Sequence, residues 1–171
     1  MRTHDATLHN VIANHPEVLK SLDWKAEDHP ETGGFLLFDG MADDPQTFLL
    51  HGGNREFTAA DMLDPTVELP GVAMIFCWSA PGVFEAHTLA HPDRRQNTLG
   101  EAKALIHEMF TLHGAEMIWG QPASKNTRAC RFFEKLGGKI VGDAEHPLVG
   151  PITYYANEKE EWLRDHWTRT E

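Results

Sequence analysis

Residues 83–120 read VFEAHTLAHPDRRQNTLGEAKALIHEMFTLHGAEMIWG, and this stretch decides the fold. Val83 to Ala90 has strand character and is closed by His91-Pro92-Asp93. A loop with Arg94 and Arg95 leads into a predicted helix from Thr98 to His113. Leu99, Ala102, Ile106, Met109 and Phe110 form its apolar stripe, and Glu101, Lys103 and Glu108 lie elsewhere on the wheel. Gly114 is a helix stop. Ala115 to Gly120 reads as the next strand. A strand, a helix and a strand in that order imply a parallel pair joined by a right-handed crossover.

Working outward, Val72 to Trp78 is the most apolar strand signal in the chain. Pro81-Gly82 fits a type II turn, so Val83 to Ala90 returns antiparallel to it. Further upstream, Glu31 to Phe38 and Thr47 to His51 read as two strands, turned at Asp39-Gly40 and Asp43-Asp44-Pro45 and ended by Gly52-Gly53-Asn54. Phe57 to Leu63 reads as a short helix opened by Thr58. Ala6 to Leu22 splits into two short helices, with Pro16 in the first turn of the second. Downstream, Asn126 to Leu136 is a helix with stripe Ala129, Phe132, Phe133 and Leu136, stopped by Gly137-Gly138. Lys139 to Val141 and Ile152 to Ala156 are strands, and Glu158 to Trp167 is a closing helix with Trp162 and His166 inward. The expected fold class is α/β (α+β): a mixed, mostly antiparallel central sheet flanked by helices.

The chain has 171 residues, which fits one domain, with 41% hydrophobic and 24% charged residues. No apolar run is long enough to span a membrane, and residues 1–10 hold no apolar signal core. Cys77 and Cys130 lack metal-site or disulfide-framework spacing, so reduced thiols in the cytoplasm are expected. The eleven histidines show no HExxH pattern, and no metal is expected. The net charge is -11, and it is uneven. Residues 1–90 hold 14 acids and 4 bases, whereas residues 91–171 hold 12 acids and 11 bases. An acidic first half disfavours nucleic acid and suits an amine-bearing ligand. Asp61, Asp64 and Glu68 are candidates for attracting a cation, and solvated loop acids are the plainer reading. The bases of the second half suit a polyphosphate.

The stretch Arg94-Arg95-Gln96-Asn97-Thr98-Leu99-Gly100 carries the chemistry. The first turn of a helix offers unpaired N–H groups and the positive dipole end. Gly100 lets a ligand approach the backbone, and Arg94 and Arg95 can reach phosphate oxygens. These features make a pyrophosphate cradle without a GxxxxGK[ST] or GxGxxG pattern. A helix start with two solvated arginines is the plain alternative.

The stretch resembles the GCN5-related N-acetyltransferase superfamily, whose pyrophosphate motif is Arg/Gln-x-x-Gly-x-Gly/Ala. Arg95 to Gly100 matches at both ends, with Thr98 where the first glycine is usual. The family's second signature, Asn-x-x-Ala-x-x-Phe-Tyr-Glu-Lys-x-Gly-Phe, is closely matched by Asn126 to Gly138, with Phe133 in place of the tyrosine and Gly138 in place of the last phenylalanine. The resemblance covers about residues 70–156 and is similar to compact bacterial and bacteriophage members. It implies a single acyl-CoA domain over 1–171: an acceptor-side half (1–70), a cofactor core (71–156) and a C-terminal helix (157–171). It also implies that the parallel strand pair splays and that acetyl-CoA sits in the opening. Thr88, Leu89 and Ala90 would then meet the pantetheine. Arg94, Arg95, Gln96, Asn97, Thr98, Leu99 and Gly100 would wrap the pyrophosphate. Asn126 would touch the pantetheine or fix its loop, and Phe133 would pack along the thioester.

The implied reaction is acetyl transfer to a primary amine, of a small molecule or a peptide, by direct attack in a ternary complex. The family's usual proton donor is a tyrosine where this chain has Phe133. Tyr154 and Tyr155 are the candidate substitutes, and strand alternation puts them on opposite faces, so one of them at most faces the cleft. Glu85 and His87 share one strand face and are the candidate bases. Trp78 and Trp119 end strands and either line a cleft or pack in the core. A non-catalytic member that binds CoA or a protein is the second reading, favoured by Phe133 and Thr98. A longer-chain acyl-CoA enzyme is the third. No membrane partner is expected, and a homodimer is compatible with the resemblance.

Overall fold

The computed structural model describes residues 1–22, 24–64, 66–94 and 97–167. The elements run β1 (Arg2–Thr3), α1 (Thr7–Ala13), α2 (Pro16–Ser21), α3 (Asp39–Ala42), β2 (Thr47–His51), α4 (Ala59–Leu63), β3 (Val72–Ala80) and β4 (Val83–Ala90). They continue with α5 (Thr98–Leu112), β5 (Met117–Gly120), α6 (Thr127–Lys135), β6 (Lys139–His146), β7 (Gly150–Glu158) and α7 (Lys159–His166). Two single 3-10 turns lie at Ala26–Asp28 and Pro30–Thr32. The strands form one sheet in the order β1-β2-β3-β4-β5-β7-β6. β4 and β5 pair in parallel, while β1/β2, β5/β7 and β6/β7 are antiparallel. The mixed, mostly antiparallel sheet with one parallel pair is therefore present.

The chain divides into two compact units. One holds Met1–Phe76 and His87–Leu105; the other holds Cys77–Ala86 and the described residues from Ile106 onward. In the first unit, Val72–Phe76 is buried at every residue, as a strand covered on both faces must be. His9 on α1 is fully buried, and its Nε2 lies 3.1 Å from Leu50 O and 3.2 Å from Met74 O. Two carbonyls can face that nitrogen only if it carries the proton. In the second unit, Trp162 is the largest buried side chain, and its Nε1–H donates to Leu136 O at 2.6 Å. That bond ties α7 to the C-cap of α6, and Phe110 packs against the indole.

Several expectations are corrected. Glu31 to Phe38 is not a strand. It begins in a 3-10 turn and passes Gly33 and Gly34, both at positive φ. Side chains of the first helical segment then take its amides: Leu36 N–H donates to Asn14 Oδ1 and Phe38 N–H to Asn10 Oδ1, both at 2.7 Å. Phe35 and Leu37 are exposed as a result. The turn expected at Asp39-Gly40 is the short helix α3, and β1 pairs with β2 where no strand was predicted. β5 starts at Met117 because Ala115 N–H is taken by Met109 O, which closes α5. β6 and β7 are longer than their apolar cores, pairing from Lys139↔Ala156 to His146↔Gly150. Leu99 is only half-buried, and His166 is exposed with its ring 5.8 Å from Trp162. No residue of α6 is fully buried; Ala129, Phe132 and Phe133 are half-buried, and only the C-cap Leu136 is enclosed.

Burial lowers the His9 pKa to about 4, and the neighbouring His51 adds to the effect against the two carbonyl bonds. His9 Nδ1 is buried without a hydrogen-bond partner, so a second proton has nothing to meet. The unfolded chain takes that proton near pH 6.5 and the native chain only near 4, so stability falls as pH drops through this window. The contribution is about 3 kcal/mol. Urea unfolding at pH 7 and pH 4 should show His9→Gln losing about 3 kcal/mol less than wild type between the two conditions.

Candidate active site

In the first unit, the start of α5 is fastened to the start of β3. Glu101 Oε2 accepts the N–H of Gly71 at 2.8 Å and of Val72 at 3.1 Å. Thr98 is buried, and its Oγ1 can donate to Gly71 O at 3.4 Å or to Arg94 O at 3.3 Å. Gly71 has to be glycine: a Cβ there would stand 2.6 Å from Arg94 O. At Thr98, where the resemblance expects a glycine, the hydroxyl faces these two carbonyls of the chain itself. Asn97 and Gly100 are exposed, and a Cβ on Gly100 would meet nothing within 4 Å. Glu101 N–H donates to Asn97 O, so the amides just before it have no intrahelical acceptor. Arg94 Nη1 stands 3.4 Å from Glu68 Oε1, with both side chains well exposed. Arg95 and Gln96 lie outside the described residues.

The other two candidate acids, Asp61 and Asp64, are engaged locally. Asp61 pairs with Arg55 at 2.9 Å and closes a capping box with Thr58. The bond to Arg55, then those to Thr58, hold its carboxyl well below the usual range. Asp64 Oδ1 accepts from Thr66 N–H and Oγ1–H, which lowers its pKa. His87 is exposed and Leu89 is buried. Phe84, Ala86 and Leu89 form the buried series of β4, so its phase slips by one residue across His87–Thr88. Thr88 Oγ1 is buried there without a hydrogen-bond partner, and Ala90 is half-buried.

In the second unit, the parallel ladder covers three pairs: Val83↔Met117, Phe84↔Ile118 and Glu85↔Trp119. Glu85 stands at its end, half-buried, and Oε1 accepts from Gln121 Nε2 at 2.8 Å. Beside it, Trp119 Nε1–H donates to Ser79 Oγ at 3.0 Å, and its ring centroid is 5.9 Å from that of Tyr154. Trp78 is exposed.

Register separates the two tyrosines. Trp119 pairs with Ala156, two residues from Tyr154 on the same face. Tyr155 pairs with Gly120 on the opposite face, where its ring stacks on Phe133 at 5.6 Å and 18°. Burial, with Cys130 and Glu134 adding to it, pushes the Tyr155 pKa up to about 12, and its hydroxyl donates to Glu134 Oε1 at 3.4 Å. Gly120 lies under Phe133: a Cβ would overlap the ring at Cζ and Cε1. Asn126 caps α6, its Oδ1 accepting from Ala129 N–H at 3.1 Å.

Glu101, Gly120 and Gln121 were not singled out from the sequence as site residues. Glu101 falls on the polar side of the helical wheel, and its partners are backbone groups 29 and 30 residues away. Gly120 signalled only a strand end. Tyr155 was visible as the alternate of Tyr154, but only the fold places Phe133 beside it.

No family model and no curated protein sequence matches the chain. Solved structures do. Aminoglycoside acetyltransferase AAC(6')-Ib in complex with ribostamycin and coenzyme A is similar with a TM-score of 0.66 and 17% identity, over 99% of this chain and 96% of that one. The same enzyme with coenzyme A and kanamycin gives 0.65 and 18%, over 96% and 95%. A spermidine N-acetyltransferase SpeG chimera from Vibrio cholerae and hSSAT gives 0.62 and 14%, over 94% of each chain. With the parallel pair, its crossover helix and the strand order above, these likenesses establish that the chain has the fold of the GCN5-related N-acetyltransferases.

Proposed function

We propose that the chain is an N-acetyltransferase that moves acetyl from acetyl-CoA to a primary amine by direct attack in a ternary complex. One observation carries this reading: the parallel ladder stops at Glu85 and Trp119 while β4 runs on to Ala90, in a fold shared with coenzyme A-bound acetyltransferases. Two features fit the cosubstrate. Thr88 Oγ1 is a buried polar atom without a partner, and Gly100 faces open space at the first turn of a 15-residue helix.

Acetyl-CoA supplies an electrophilic thioester carbonyl. Thr88, Leu89 and Ala90 would offer backbone groups to the pantetheine. The α5 amides around Thr98, Leu99 and Gly100 would take the pyrophosphate, with Arg94, Arg95, Gln96 and Asn97 around it. Asn126 holds the start of α6 in place. Glu85, oriented by Gln121, would take the proton of the acceptor ammonium so that the amine attacks neutral. His87 is the alternative base. Phe133 has no proton to give, and Tyr155 holds its own, so the C–S bond breaks without a phenol donor at position 133 and the thiolate would take, through water, the proton that the acetylated nitrogen sheds. Tyr154, set against Trp119, serves the acceptor side in this reading rather than the leaving group.

Calorimetric titration with acetyl-CoA tests the proposal. Binding at micromolar concentrations or tighter, lost in Arg95→Ala, is expected. Absence of binding at millimolar acetyl-CoA would overturn it. Glu85→Gln should lower kcat by about 10²–10⁴-fold while leaving the acetyl-CoA Kd within about twofold. A protein that binds acetyl-CoA normally but acetylates no amine would instead be the non-catalytic member that Phe133 allows.

A further inference from the structure

We infer that Trp119, Tyr154 and Glu85 form a wall that binds the acceptor as an alkylammonium cation, with Trp119 as a specificity-determining residue. The inference rests on the acetyltransferase reading for its biological meaning, and on the second unit alone for its geometry. Cα partners in a ladder put their side chains on one face, so Glu85, Trp119, Ala156 and Tyr154 stand together across three strands. The opposite face is closed: Phe84, Ile118, Tyr155 and Asn157 are all buried. On the near face, Glu85, Trp119 and Tyr154 are each half-buried, so a ligand can reach them.

The chemistry of this face favours one kind of ligand. Trp119 has spent its N–H on Ser79, which fixes the indole and leaves its π-face as the group on offer. Tyr154 meets it at 41° rather than in a stack, so the two rings form a corner. A carboxylate stands on the adjacent strand, held by Gln121. A second, Glu158, pairs with Met117 on the same face. Among the described residues that β4, β5 and β7 place on this face within the second unit, none is a lysine or arginine, and Lys139 of β6, the partner of Ala156 on that face, gives its charge to Glu161. Ring quadrupoles and carboxylates both attract a cation and repel an anion. An aromatic corner beside an anchored carboxylate fits an alkylammonium, its methylenes on the rings and its charge toward Glu85.

The experiment compares butylamine, a cation at neutral pH, with 1-butanol, a neutral chain of matching length. Neither needs acetyl-CoA. The probe is the Trp119 indole N–H resonance, assigned by its loss in Trp119→Phe. Butylammonium should shift that resonance with at least about tenfold higher affinity than butanol. Tyr154→Leu should weaken the amine about tenfold, and Glu85→Gln should weaken it while leaving butanol unchanged. For variants at 119, another shifted tryptophan resonance or tryptophan quenching gives the affinity: Trp119→Leu should lose about tenfold, and Trp119→Phe, which keeps a ring, should fall between. Equal binding of amine and alcohol, no shift with either, or no difference between Trp119→Leu and Trp119→Phe in folded protein would overturn the inference. Failure of acetyl-CoA to bind while the ammonium shift persists would strike the transferase reading and leave the cation wall standing.

Discussion

The three-residue parallel pairing of β4 with β5 is the constraint on which the rest depends. Parallel neighbours cannot be joined by a tight turn, so the chain needs a crossover, and α5 is that crossover. The helix must leave the C-terminal end of β4 and return to the N-terminal end of β5. Its first turn therefore follows β4 within one loop, and backbone donors gather where an anion could use them. The brevity of the pairing matters equally. After Glu85↔Trp119 the two strands no longer share a ladder, and the polar groups at that point turn to other partners, as Glu85 does to Gln121.

Most of this was legible in the sequence because the decisive signals are local. β2 and β4 fall on their expected residues, Pro16 splits the first helical segment, and Thr58 caps α4. The motif from Asn126 to Gly138 lies on a capped helix ended by a glycine turn. What failed was decided at long range. Phe35, Leu37 and their neighbours look like strand residues, yet their backbone is claimed by Asn10 and Asn14 more than twenty residues away. Periodicity cannot see a side chain competing with a sheet for an amide. Glu101 shows the same blindness: a polar wheel position became the tie between helix and strand.

The candidate site was legible in kind more than in arrangement. Glu85 could be chosen from its place on the strand before the motif, but its orienter Gln121 came from beyond the next strand. Tyr154 and Tyr155 were known to diverge, and the fold decided which face each received. Tyr155 is buried against Phe133 on one face, and Tyr154 joined Trp119 on the other, half-open one. Thr98, where the resemblance expects a glycine, became intelligible only when its hydroxyl was seen to face the chain's own carbonyls.

The ring of Phe133 is aimed at Gly120 through Cζ, its para carbon. A tyrosine oxygen is attached to that same atom. A side chain on residue 120 would claim the space at that atom, so glycine there is what leaves it open. Phenylalanine here is matched to its floor, and the pair behaves as one packing unit. Any larger residue at 120 would need the helix that carries the ring, or the strand end beneath it, to give way.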